Sequence, residues 1–183
     1  QKFQIKDVVF LAIMSAVALA TCAVMPLVIS LQPLIFGISQ LVTALQIGVF
    51  FAIGLYKVRK PGSLLIMALM MGMIQLMMSP PMFLSSVLNG ILIELIVLLL
   101  FRGYEKDGAV FCAAMLHTPL SLPFNYLYNR LIKGADSPLA AVADRAPLAA
   151  VGMTLAVVAV SALGALIGIK IARELKKSGV LKK

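Results

Sequence analysis

The chain has 183 residues, 62% of them hydrophobic and only 13% charged, with a net charge of +9. No soluble domain of this size needs so much apolar surface, so an integral membrane protein with no separate soluble domain is expected. The basic residues sit in short loops and at the ends, where membrane topology accounts for them and a nucleic-acid partner is excluded.

A crossing needs about 20 mainly apolar residues. Six such segments are read in chain order: 8–30, 34–56, 62–79, 82–102, 108–131 and 146–172. They predict one all-α domain over 1–183, a bundle of six transmembrane helices.

The first segment is too long for a signal-peptide core and lacks a clear small-residue cleavage site. It carries Ala12, Ala16 and Ala20, each four residues from the last. That spacing puts three methyl groups on one helix face, a flat strip on which a second helix can pack closely in lipid. Ser30, Gln32 and Pro33 make the first turn. The second segment holds Gln40. Lys57, Arg59, Lys60, Pro61 and Gly62 make the next turn. The third segment holds Gln75 and the methionines Met67, Met70, Met71, Met77 and Met78, with Met73 and Met82 nearby. A copper path would want paired ligands at deliberate spacing; this stripe follows the helix period, so adaptable packing is expected.

Ser79-Pro80-Pro81 leads into the fourth segment, where Ser86, Gly90 and Glu94 share a face and Asn89 lies beside it. The fifth contains His117, Pro119, Pro123, Asn125, Tyr126, Tyr128 and Asn129. Two prolines four apart each remove a backbone donor, which is tolerated at membrane depth where the helix is buried in protein or lines a cavity. Asp136 or Ser137 before Pro138 is a helix-start signal, so a short interfacial helix is expected. It is either a lid over an outward pocket or a connector, the connector being the default. The cysteines, Cys22 and Cys112, lie in apolar runs and read as small buried residues rather than a disulfide or metal pair.

Of the 16 Lys and Arg residues, Arg130, Lys133 and Arg145 fall on one side and the remaining 13 on the other. By the positive-inside rule both termini are cytoplasmic. The polar residues then gather in the outer half of the membrane, the pattern of an outward-facing pocket closed at its base. Ionisable groups inside a bilayer are costly and are sought first for function. Glu94 and His117 are expected at comparable depth on adjacent helices, where they would pair to hold a cationic or hydrogen-bonding substrate or relay a proton. A purely structural interhelical bond is the alternative. With one histidine and one deep acid, and no Walker, HExxH or GxSxG motif, no catalytic residues, metal site or cofactor are expected and the chain is not read as an enzyme.

The whole length resembles the S components of energy-coupling factor (ECF) transporters, the substrate-binding membrane subunits of ATP-driven importers. The resemblance rests on Lys2-Phe-Gln-Ile-Lys-Asp7 leading into the alanine ladder, on Lys60-Pro61-Gly62, on Asn89-Gly-Ile-Leu-Ile-Glu94, and on Gly164-Ala-Leu-Ile-Gly168 with the basic tail Lys170, Arg173, Lys176 and Lys177. It is most similar to the S components first recognised in treponemes and streptococci, mostly of unassigned substrate, and next to those for thiamine precursors. The resemblance implies a multi-pass protein of a prokaryotic plasma membrane that captures a vitamin or other micronutrient from the outer face. It implies docking through Ala12, Ala16 and Ala20 on a membrane coupling (T) subunit driven by two cytoplasmic ATPases. Candidate substrate-binding residues are Asn89, Glu94, His117 and Asn125, then Gln40, Gln75 and Tyr126. A thiamine-precursor-like molecule or a tetrapyrrole are candidate ligands, although the chain has no tryptophan for an aromatic cage. Two rivals are a proton-coupled secondary transporter using Glu94 and His117, and a non-transporting membrane scaffold.

Overall fold

The computed structural model describes residues 2–24, 27–28, 30–31, 33–134 and 137–181. Seven helices are assigned among them: α1 (Ile5–Thr21), α2 (Ile38–Lys57), α3 (Ser63–Leu76), α4 (Pro80–Phe101), α5 (Asp107–Ile132), α6 (Pro138–Arg145) and α7 (Pro147–Lys177). Six fall on the apolar segments read from the sequence, and α6 is the short helix expected after Ser137, with Pro138 as its first residue. Asp136, the other start residue considered, and Gln32 of the first turn lie outside the described residues.

Two helices are shorter than the segments that predicted them. The first segment was expected to reach 30, but α1 ends at Thr21, whose hydroxyl turns back to the Ala18 carbonyl at 2.8 Å. The third segment was expected to reach 79, but α3 has 14 residues. Ser79 is already extended as the N-cap of α4, with Pro80 and Pro81 locking the new helix's first turn. By length and composition α2, α4 and α7 are each long and apolar enough to cross a bilayer.

The outside of the bundle is apolar, and its interior, though mainly apolar, includes polar side chains. Leu99, Leu148 and Leu155 are largely exposed, while Ser15, Asn89, Glu94, His117 and Ser161 are buried. That inversion suits a hydrocarbon solvent, in which buried polar groups tie helices together. Ser15 donates to the Leu11 and Met67 carbonyls, joining α1 to α3, and Ser86 donates to the Ala68 carbonyl, joining α4 to α3. Helix α5 runs unbroken through Pro119 and Pro123. Pro119 has no amide for the Met115 carbonyl, and Ser161 of α7 supplies the missing donor at 2.7 Å.

Glycines set the closest approaches. Gly48 of α2 lies against the backbone of Ser161 and Gly164 of α7; a Cβ on Gly164 would sit 2.5 Å from the Leu45 carbonyl oxygen, and one on Gly168 would run into that of Val49. The methionine stripe divides. Met67 and Met71 are buried, Met67 lying over Gly54, whereas Met73, Met77 and Met78 are exposed. Both cysteines are free thiols.

At the end of the bundle that carries the N-terminus, ion pairs fasten the helix ends. Lys60 meets Asp7 at 2.6 Å, and Asp107 accepts from both Arg59 and Arg173. The Asp7 carboxyl is held low by the hydrogen bond from Lys60 and then by the Gln4 amide. Burial works to raise the Asp107 carboxyl, but the bonds from Arg173 and Arg59 outweigh it and leave it below the ordinary 3.8. A depressed carboxyl contributes stability that is complete above its unfolded value and is lost as pH falls through its folded value. Asp107→Asn should therefore lower the melting temperature fully at pH 7 and by less at pH 3, below the unfolded value. An equal effect at both pH values in a thermal unfolding series would remove this pair from the stability balance.

Candidate functional site

A cavity of about 590 Å³ lies among α2, α3, α4 and α5, at the end opposite the Asp7 and Asp107 ion pairs. Each wall follows from helix periodicity. Ser39, Gln40, Thr43 and Ile47 come from α2, Met71 and Gln75 from α3, Ser86 and Asn89 from α4, and His117, Thr118, Ser121 and Asn125 from α5. The cavity extends from this interior up to Pro33, Ser79, Lys133 and Ser137, and Pro138 and Leu139 of α6 border it. Its size is that of a site for a small organic molecule.

The polar groups of the wall divide into two kinds. Several hydroxyls spend their protons on backbone carbonyls: Thr43 on Ser39, Ser86 on Ala68 and Ser121 on Thr118. Others have no hydrogen-bond partner at all: Asn89 Oδ1, both ring nitrogens of His117 and Thr118 Oγ1. Those three residues are 1%, 5% and 3% exposed. An unpaired buried polar group costs about 1–3 kcal/mol, so three at the floor of one cavity call for a function. The His117 ring also packs against Phe51, centroids 4.5 Å apart, which fixes it between α2 and α5.

Five of the expected residues thus line one cavity: Gln40, Gln75, Asn89, His117 and Asn125. Glu94 and Tyr126 do not line it, and the expected Glu94–His117 pair does not form. Glu94 Oε1 accepts from the Gly62 amide at 2.6 Å and Oε2 from the Tyr104 hydroxyl at 2.9 Å. Its face of α4, with Ser86 and Gly90, forms the seam with α3, and at its position the seam has reached the first residues of α3. Gly62, at φ 90°, caps α3 in a conformation that favours glycine, and its free amide is the donor that draws the carboxylate. Burial, and then Glu94 itself, push the Tyr104 phenol up, so it stays a donor. Tyr126 instead donates to Asp144 of α6 at 2.7 Å, and Arg130 meets the same carboxylate at 2.6 Å. With Ser137 donating to Asn129 at 2.9 Å, these bonds hold α6 beside the cavity.

Ser39, Thr43, Thr118 and Ser121 were missed. The signal was present, since Ser39-Gln40 and Thr43 repeat at helical spacing and Thr118 adjoins His117. Short hydroxyls, however, usually serve their own helix backbone, as Thr43 and Ser121 do.

Glu94→Gln should leave one amide or hydroxyl donor facing an NH2 group and cost about 1–3 kcal/mol. Ligand affinity should change less than twofold. A tenfold loss of affinity at unchanged melting temperature would return Glu94 to the binding site.

Residues 5–177 match the family model described as a hypothetical bacterial integral membrane protein (Trep_Strep). The chain belongs to the Trep_Strep family. No protein of curated function matches it. Among solved structures it is similar to one titled as a crystal structure of an S-component of an ECF transporter, with a TM-score of 0.66 and 21% identity over 98% of this chain and 89% of that one. The match establishes the fold of this Trep_Strep protein as that of an S component.

The alanine ladder of this Trep_Strep chain faces outward. Helix α1 buries Leu11, Ser15 and Ala18 against its neighbours, while Ala16 and Ala20 are exposed and Ala12 is partly so.

Proposed function

We propose that this Trep_Strep protein is the substrate-capture subunit of an ECF-type importer in the bacterial cell membrane. In this reading six helices cross the bilayer, both termini are cytoplasmic, and a micronutrient enters from the outer face. The observation that carries it is the cavity whose floor presents Asn89, His117 and Thr118 without partners. It lies at the end of the bundle poor in lysine and arginine, where the positive-inside rule places the outer surface. The outward strip of Ala16 and Ala20 supports docking on a coupling subunit, with ATP hydrolysis residing in partner ATPases. A proton relay through Glu94 and His117 finds no support, because both Glu94 oxygens are engaged elsewhere.

Gentle purification followed by native mass spectrometry tests the reading. The protein should carry one small molecule at close to one equivalent, and His117→Ala should carry at least tenfold less while remaining folded. Folded protein that binds nothing would favour a scaffold; uptake without any ATPase partner would favour a secondary transporter.

A further inference from the structure

The wall of the cavity carries many polar side chains among apolar ones, yet almost no charge. Its described residues include no aspartate or glutamate, and its one charged side chain, Lys133, stands at the mouth. The deep acid that could have balanced a cation, Glu94, is turned to Gly62 and Tyr104. What remains at depth is a set of side-chain amides and an imidazole. Gln40, Gln75, Asn89 and Asn125 each bring an N–H donor and a carbonyl acceptor, and the Gln40 carbonyl already accepts from Ser39 at 3.0 Å. The hydroxyls of Thr43, Ser86 and Ser121 have given their protons to the backbone and keep only lone pairs to offer.

We propose that the part of the ligand reaching the floor is uncharged and bears both hydrogen-bond donors and acceptors, and that the cavity rejects organic cations. This rests on the capture reading above. An ammonium or quaternary nitrogen placed beside Asn89 and His117 would lose its hydration with no carboxylate to replace it, a penalty of several kcal/mol. A neutral amide, lactam or amino-substituted heterocycle would instead satisfy the floor atoms and lose only weaker contacts with water. An acidic group is accepted at the mouth beside Lys133 and not at the floor. The Glu94–His117 pair expected from the sequence left both a cationic and a hydrogen-bonding substrate open; with Glu94 bonded elsewhere the cationic option has no counter-charge at the floor.

The test uses the full chain, purified in mild detergent and immobilised. It is incubated with a desalted polar-metabolite extract of bacterial cells, washed, and eluted for mass spectrometry. The wild type should retain an uncharged molecule, or one whose only charge is acidic, and should exclude thiamine, choline and spermidine added as cationic standards. Asn89→Asp should lose at least tenfold of that retention and take up a cationic standard. Gln75→Glu, at a half-buried position where folding is safer, should shift retention the same way by several-fold. A permanent cation held by the wild type would overturn the substrate class and leave capture standing. An unchanged profile in both variants would overturn the placement of the ligand at this wall. Retention of nothing by folded wild type would overturn capture itself, and the class with it.

Discussion

Gly168→Leu should abolish the folded protein. The Gly168 Cα lies against the Val49 backbone, and even a methyl group there would collide with a carbonyl oxygen and with the Ala52 side chain. Backbone cannot rotate aside as a flexible side chain can, so α7 would have to move off α2 along most of their shared length. Overpacking of a well-filled core costs about 1–3 kcal/mol, and a clash with main chain at the tightest seam belongs at or above the top of that range. Gly152, also in α7, has nothing within 4 Å of its missing Cβ, so Gly152→Leu is the matched control. Detergent-solubilised Gly168→Leu should aggregate on size-exclusion chromatography while Gly152→Leu elutes as wild type. Equal melting temperatures in the two variants would show that α2 and α7 are not held by this seam.

Ala16→Leu should abolish co-purification with a coupling subunit and leave both folding and ligand retention intact. Ala16 is exposed, so the longer side chain costs the isolated protein little, but it lifts any partner helix off the strip by several ångströms. Contacts between helices in lipid depend on close approach of backbones, so a loss of more than tenfold in recovered complex is expected. Normal complex formation by the variant would separate the ladder from docking and weaken the assignment as an importer subunit. A loss of ligand together with the complex would instead mean that α1 had been disturbed as a whole.

These two expectations draw on the chain in different ways. The alanine ladder was visible as spacing alone, because helical period decides which residues share a face before any tertiary contact exists. Burial of Leu11, Ser15 and Ala18 then showed which face is turned inward, and the ladder lies on the other side. Gly164 and Gly168 were visible only as a family-like motif; their contact with Leu45 and Val49 required α2 and α7 to be placed side by side.

The cavity shows the same division. Gln40, Gln75, Asn89, His117 and Asn125 could be collected from the sequence because polar residues in apolar helices are few and their depth follows from position along each segment. Depth is one coordinate, and rotation about the helix axis and the lateral arrangement of neighbours are two more. Tyr126 had suitable depth but points to Asp144, and its neighbour Tyr128 lines the cavity instead. Glu94 had suitable depth by residue count, but it faces α3 and ends under the Gly62 amide.

By itself, then, the sequence determined the solvent, the positions of the apolar helices, the side that carries the basic residues and the residues worth testing. All of these follow from one-dimensional quantities: hydropathy, period and charge count. Only the tertiary structure decided which of those residues meet. Partner choice for a polar group depends on the nearest available donor or acceptor in space. The Gly62 amide at the start of α3 and the Tyr104 hydroxyl satisfy both Glu94 oxygens, while the His117 ring packs against Phe51. That preference kept the expected Glu94–His117 pair from forming and left both His117 nitrogens, Asn89 Oδ1 and Thr118 Oγ1 without partners at the cavity.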